Sequence, residues 1–158
     1  MMKSILIFLL ALVSVNALAE SPAVYEKSVD QNLETAYKHV YKALESNGFK
    51  VVYEVDIQEN LTKFAAKNAI KDFNLSQLEG IKSMVFCNAP LAVKISNADP
   101  TMLAMCPLHL TLTQKAGRAT VLFVRPSFIA QGSKAEAPAK ELEEKVIKAI
   151  ESGLSATQ

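Results

Sequence analysis

Both cysteines of the chain, Cys87 and Cys106, lie between Ser83 and Thr113. The same stretch holds His109, one of two histidines, and Met84, Met102 and Met105, three of five methionines. Thiol, thioether and imidazole side chains can cross-link a chain, exchange electrons, or bind copper or haem iron. An even cysteine count in an exported chain favours a disulfide, and two cysteines allow a single intramolecular pairing. Closing a loop of about twenty residues would stabilise the fold by roughly 3 kcal/mol. The alternatives are two buried unbonded thiols and a working redox or ligand-attaching pair. No C-x-x-C spacing is present, so a thioredoxin-type argument has no footing. His109 alternates onto the polar side of its segment, with Thr111 and Thr113. A neutral imidazole there can bind a metal or a haem iron, and the competing reading is a half-exposed sheet histidine. The three methionines are either thioether ligands or fillers of irregular core space. His39 groups with Thr35, Lys42 and Ser46 at helical spacing, as on a solvated helix flank.

Other chemistry is missing. The sequence has no Gly-rich phosphate loop, H-E-x-x-H, nucleophile elbow or paired-cysteine knuckle. It has only five glycines and two histidines. A triad dispersed in sequence stays open, because triads are recognised in space. The sequence names no reaction, and a non-catalytic role is the leading reading.

The chain has 158 residues. Residues 1–19 read as a cleaved signal peptide. Lys3 begins it, the apolar run Ile5–Val13 follows, and Ala17-Leu18-Ala19 supplies the small residues a signal peptidase reads. The run is shorter than the roughly 20 residues needed to cross a bilayer about 30 Å thick. No later segment is long and apolar enough, so no stable membrane insertion is expected after cleavage. The mature chain, residues 20–158, is expected in the periplasm or secreted. At roughly 140 residues it is one domain with enough length for a real core. Lys and Arg number 17 against 16 Asp and Glu. With no basic run, non-specific nucleic-acid binding is not expected.

The elements that must position the candidate residues follow from periodicity and punctuation. Residues 23–28 read as a strand. Ser28 and Gln31 resemble a capping box, and Leu33, Ala36, Tyr37, Val40 and Leu44 recur at helical spacing before Asn47-Gly48. Residues 49–56 alternate as a strand, with Phe49, Val51, Tyr53 and Val55 expected inward. A short helix over 58–68 precedes a polar loop over 69–80. Residues 83–87 read as a buried strand. Asn88 and Pro90 start a helix, and Asp99-Pro100 starts a single turn through Met105. Residues 107–113 alternate, with Leu108, Leu110 and Leu112 on one face. A hairpin turn at 115–118 leads to a strand over 120–125. Residues 126–137 read as loop, and 138–152 as the last helix, with Gly153 as its stop. This order predicts a single small α+β domain, an antiparallel or mixed sheet packed against helices.

Three pieces of the chain, over about residues 23–130, resemble the family catalogued as domain of unknown function 302. One is the opening helix with Asn47-Gly48-Phe49 running into Val51–Asp56. The second is Val85-Phe86-Cys87-Asn88-Ala89-Pro90. The third is Ala98-Asp99-Pro100 followed by the strand from Pro107 to Leu112. The resemblance implies a small α+β fold with no agreed activity. It further implies haem binding at a homodimer interface, as associated with some relatives. The chain departs from the family pattern at Cys106-Pro107 and at Val124-Arg125-Pro126. The leading expectation is an exported binding protein with His109 as axial haem ligand and the Met84–Met105 region as an apolar wall. The rivals are a thiol-redox protein using Cys87 and Cys106, and a structural or partner-binding domain.

Overall fold

The computed structural model describes residues 23–156, so the signal-peptide reading of residues 1–19 falls outside the described residues. The elements run β1 (Val24–Val29), α1 (Leu33–Ser46), β2 (Lys50–Asp56), α2 (Ile57–Lys67), β3 (Gly80–Cys87) and α3 (Ala89–Ala98). A 3-10 turn (Pro100–Met105) then leads to β4 (Leu108–Lys115), β5 (Arg118–Val124), α4 (Pro126–Ile129) and α5 (Glu136–Leu154). The strands form one antiparallel sheet in the order β1-β5-β4-β3-β2, which puts β4 at its centre. Helix α1 packs on α5 and on β3, β4 and β5, and α3 packs on α5. The result is a single α+β domain with helices across one face of the sheet.

Leu33, Ala36, Tyr37, Val40 and Leu44 of α1 are all buried, as their spacing requires. The cap is different from the one expected. Asn32, not Ser28, accepts from Thr35 N–H at 2.9 Å. Ser28 belongs to β1, where its hydroxyl lies 2.8 Å from that of Thr120. Pairing of β1 with β5 through Val29 and Ala119 holds the backbone extended past the point where a Ser28 cap would begin. Gly48 ends α1 at φ +80°, and Phe49 N–H reaches back to Leu44 O at 3.0 Å.

Phe49 and Val51 enter the core, but Tyr53 does not. A bulge between Val51 and Tyr53 consumes one residue of alternation and turns Tyr53 to the other face, where it is 64% exposed. Asn88 and Asp99 cap α3 and the 3-10 turn through Leu91 N–H and Thr101 N–H. The β4–β5 hairpin closes through Ala116 and Gly117, both at positive φ, the conformation that matches the twist of the strands.

The expected 126–137 loop contains α4, and α5 is longer than expected at both ends. Gly153 is not a stop but lies buried inside the last turn of α5. A Cβ there would sit 2.9 Å from His39 O and 3.0 Å from Val40 Cα, so the glycine allows α5 and α1 to approach closely. This contact also changes the reading of His39, which is half-buried with a buried Nδ1 that has no hydrogen-bond partner among the described residues. The core is the helix-side layer of the sheet. Phe86 is its hub, edge-on to Phe49 at 5.7 Å and tilted against Phe123 at 6.4 Å.

Candidate functional site

Alternation along β4 sends Leu108, Leu110 and Leu112 into the helix-side core and leaves His109 exposed on the opposite, open face. Register supplies its neighbours. Val85 of β3 lies directly across from His109, and Tyr53 of β2 lies across from Val85. On the other side, one step beyond Leu110↔Phe123 brings Val124 of β5 beside His109, and Val24 of β1 pairs with Val124. A single row, Val24–Val124–His109–Val85–Tyr53, therefore crosses the whole sheet with the imidazole at its centre. The adjacent row, Glu26–Leu122–Thr111–Ser83–Val55, is more polar. It is tied internally by Thr111 Oγ1 donating to Ser83 Oγ at 3.3 Å and Ser83 Oγ donating to Leu110 O at 2.8 Å.

The middle of the apolar row borders a cleft of about 160 Å³ between the 3-10 turn, the start of β4, the end of β5 and α4. His109, Met105, Pro107, Val124 and Ile129 line it. Its α4 wall is held by a buried carboxylate. Glu143 of α5, 4% exposed, accepts from Arg125 Nε at 2.9 Å, from Ser127 N–H at 2.9 Å and from the Ser127 hydroxyl. Burial alone would raise the Glu143 pKa, but the Ser127 and Arg125 hydrogen bonds favour the anion more and hold it below the usual carboxylate range.

The structure separates the six residues singled out in the sequence. His109 and Met105 line one cleft. Met102 is partly buried against the core. Met84 is fully buried on the helix side, opposite Leu110, and cannot form an apolar wall for His109. Cys87 and Cys106 are free in this structure, so the expected disulfide has no support here. The strands they flank are antiparallel neighbours, as a disulfide would require. Cys106, however, closes the 3-10 turn, donating its N–H to Leu103 O at 2.9 Å, before β4 begins. Burial, and secondarily the neighbouring Cys87, pushes the Cys106 thiol up, so it stays protonated.

Sequence reasoning missed the row, with Val85 and Val124 beside His109 and Tyr53 and Val24 one strand further out, and missed Glu143 as the anchor of α4. Alternation in β5 marks Val124 as outward once the strand is known. No local signal marks Tyr53, because the bulge that turns it is visible only through pairing.

A five-stranded antiparallel sheet with helices on one face, and an exposed apolar row on the other, defines a small α+β domain. The family model for domain of unknown function DUF302 matches residues 25–153, and the chain belongs to that family. The crystal structure of an uncharacterised conserved DUF302 protein from Bacillus stearothermophilus is similar in fold. Its TM-score is 0.71 at 14% identity, over 84% of this chain and 98% of that one. No curated protein matches the sequence.

Proposed function

We propose that this chain is a small exported, non-catalytic binding protein whose working surface is the open face of the sheet around His109. The observation that carries this reading is the row itself, one exposed imidazole at the centre of an otherwise apolar line crossing all five strands. Among the described residues no group of three or more His, Cys, Asp or Glu side chains is placed to hold a metal ion. An isolated imidazole suits a ligand that brings most of its own coordination, and haem is the concrete candidate. It requires from the protein one axial nitrogen and a flat apolar surface.

His109 and its valine neighbours fit that demand, Met105 fits as part of the adjoining cleft, and Met84 does not. The cleft of about 160 Å³ is smaller than the roughly 300–1,000 Å³ of pockets that enclose small molecules. A macrocycle on this face would therefore be covered by a second copy of the chain, as a homodimer. Burial pushes the Cys106 thiol up, which makes Cys106 itself a poor attacking thiolate.

Adding haem to the apo-protein is expected to produce a Soret band that His109→Ala abolishes and His39→Ala leaves intact. No spectral change, or equal binding by both variants, would remove His109 as the ligand. Intact-mass analysis of the cell-envelope fraction is expected to give a chain beginning near Glu20. Full-length protein confined to the cytoplasm would overturn export.

A further inference from the structure

The connection from β2 to β3 buries little of its apolar content. Among residues 57–79 only Ala65 is buried. Leu61 is 41% exposed, Phe64 60%, Ile70 43%, Phe73 42% and Leu75 79%. Isolated exposed apolar side chains are ordinary, but five within fifteen residues leave an unusual amount of apolar side chain in water on one connection. The composition of the same stretch indicates what covers it. Lys63, Lys67 and Lys71 alternate with the apolar side chains, and Asp72 is the one acidic residue between Leu61 and Leu75. Lys63 pairs with Glu59, whereas Lys67 and Lys71 have no ion pair among the described residues. Glu79, just beyond, is turned away toward the β4–β5 hairpin, accepting from Gln114 Nε2 at 2.7 Å and Gly117 N–H at 3.1 Å.

We propose that this excursion is a reversible docking surface for an anionic lipid bilayer. Phe64, Phe73 and their apolar neighbours enter the headgroup boundary, while Lys67 and Lys71 meet lipid phosphates. Apolar burial and lysine attraction act together in such interfacial segments, and neither alone gives stable attachment. The element lies on the membrane and does not cross it. No helix among the described residues is long and apolar enough to span a bilayer.

The chain contains no tryptophan, so a single introduced indole reports its own surroundings. Phe64→Trp places it in the excursion, and Val93→Trp, at a 57% exposed position of α3, places it elsewhere. This design works in the full chain, because attachment through residues 1–22 would not bury an indole at position 64. With vesicles of mixed phosphatidylcholine and phosphatidylglycerol, the emission of Phe64→Trp is expected to shift to the blue. The shift should weaken with salt and be absent with phosphatidylcholine alone, and Val93→Trp should not respond. Adding Lys67→Glu and Lys71→Glu to Phe64→Trp should weaken binding about tenfold or more. No shift at position 64, an equal shift at both positions, or an equal shift on neutral vesicles would overturn the proposal. A shift that appears without vesicles as protein concentration rises would overturn it in favour of a second copy on this surface.

Discussion

Phe86, Leu110 and Phe123 face the helices at 1% exposure or less. Val85, His109 and Val124, each one residue away on the same three strands, face outward. The two faces share a backbone, a register and a twist, yet they differ in what they can be asked to do. On the helix side each side chain meets several others, so a change in shape is transmitted through the packed layer. On the open side the His109 row carries no helix layer, although His109 and Val124 border the cleft beside α4, and its residues can change with small consequence for the fold. A sheet covered on one face thus divides labour by parity, with stability on one set of positions and recognition available to the other.

The sharpest way to break this contrast is to empty the covered face. Phe86→Ala removes the ring that bridges Phe49 and Phe123. It is expected to cost about 3–5 kcal/mol in chemical denaturation, as large-to-small changes at fully buried aromatics do. A loss below about 1 kcal/mol would mean that the layer repacks freely and that the two faces differ less than their burial implies.

A smaller effect is expected at the boundary, where Glu143 ties α5 to α4 beside the cleft. Glu143→Gln keeps the shape but weakens the bonds to Arg125 and Ser127, and should cost about 1–3 kcal/mol at neutral pH. The pH dependence has a definite sign. The folded-state pKa of Glu143 is lowered, so the carboxylate's contribution is complete above the ordinary glutamate value of about 4.3. That contribution is lost as the pH falls through the lower folded value, when the folded protein must also take up the proton. Melting temperature measured from pH 7 to pH 3 should fall less steeply for Glu143→Gln than for the parent chain. Parallel curves would show that this carboxylate is not a source of the acid sensitivity.

The smallest effect is expected on the open face. His109→Ala should change stability by no more than about 0.5 kcal/mol, in line with exposed substitutions elsewhere. If it also abolishes the haem-dependent Soret band, stability and binding will have been separated on adjacent residues of one strand. A large destabilisation would mean that His109 belongs to the scaffold and would remove the basis of the contrast.

The elements themselves were legible in the sequence wherever one short segment carried its own instruction. The apolar spacing of Leu33, Ala36, Tyr37, Val40 and Leu44 fixed α1, and Asn47-Gly48 fixed its end. Asn88 with Pro90, and Asp99 with Pro100, set the starts of α3 and the 3-10 turn. The alternation from Leu108 to Leu112 established that His109 and the leucines face opposite ways. Each of these signals acts over a few residues of contiguous backbone, so no partner is needed to read it.

What only the tertiary structure decided depends on residues distant in the chain. The bulge that exposes Tyr53 exists because β2 must pair with β3, and a strand read alone gives no sign of a lost step in alternation. Gly153 looks like a helix stop until α1 is placed against it. It then serves as a clearance of atomic size around the His39 backbone. The sequence placed Met84 beside His109 as part of one apolar region, but strand parity sends it through the sheet to the opposite face. The sequence alone could not say whether the two cysteines bond, and in the folded chain both are free, with Cys106 closing the 3-10 turn. The row of Val24, Val124, His109, Val85 and Tyr53 draws one residue from each of five strands. Its composition is in the sequence, but its existence follows from the order β1-β5-β4-β3-β2, which long-range pairing alone sets.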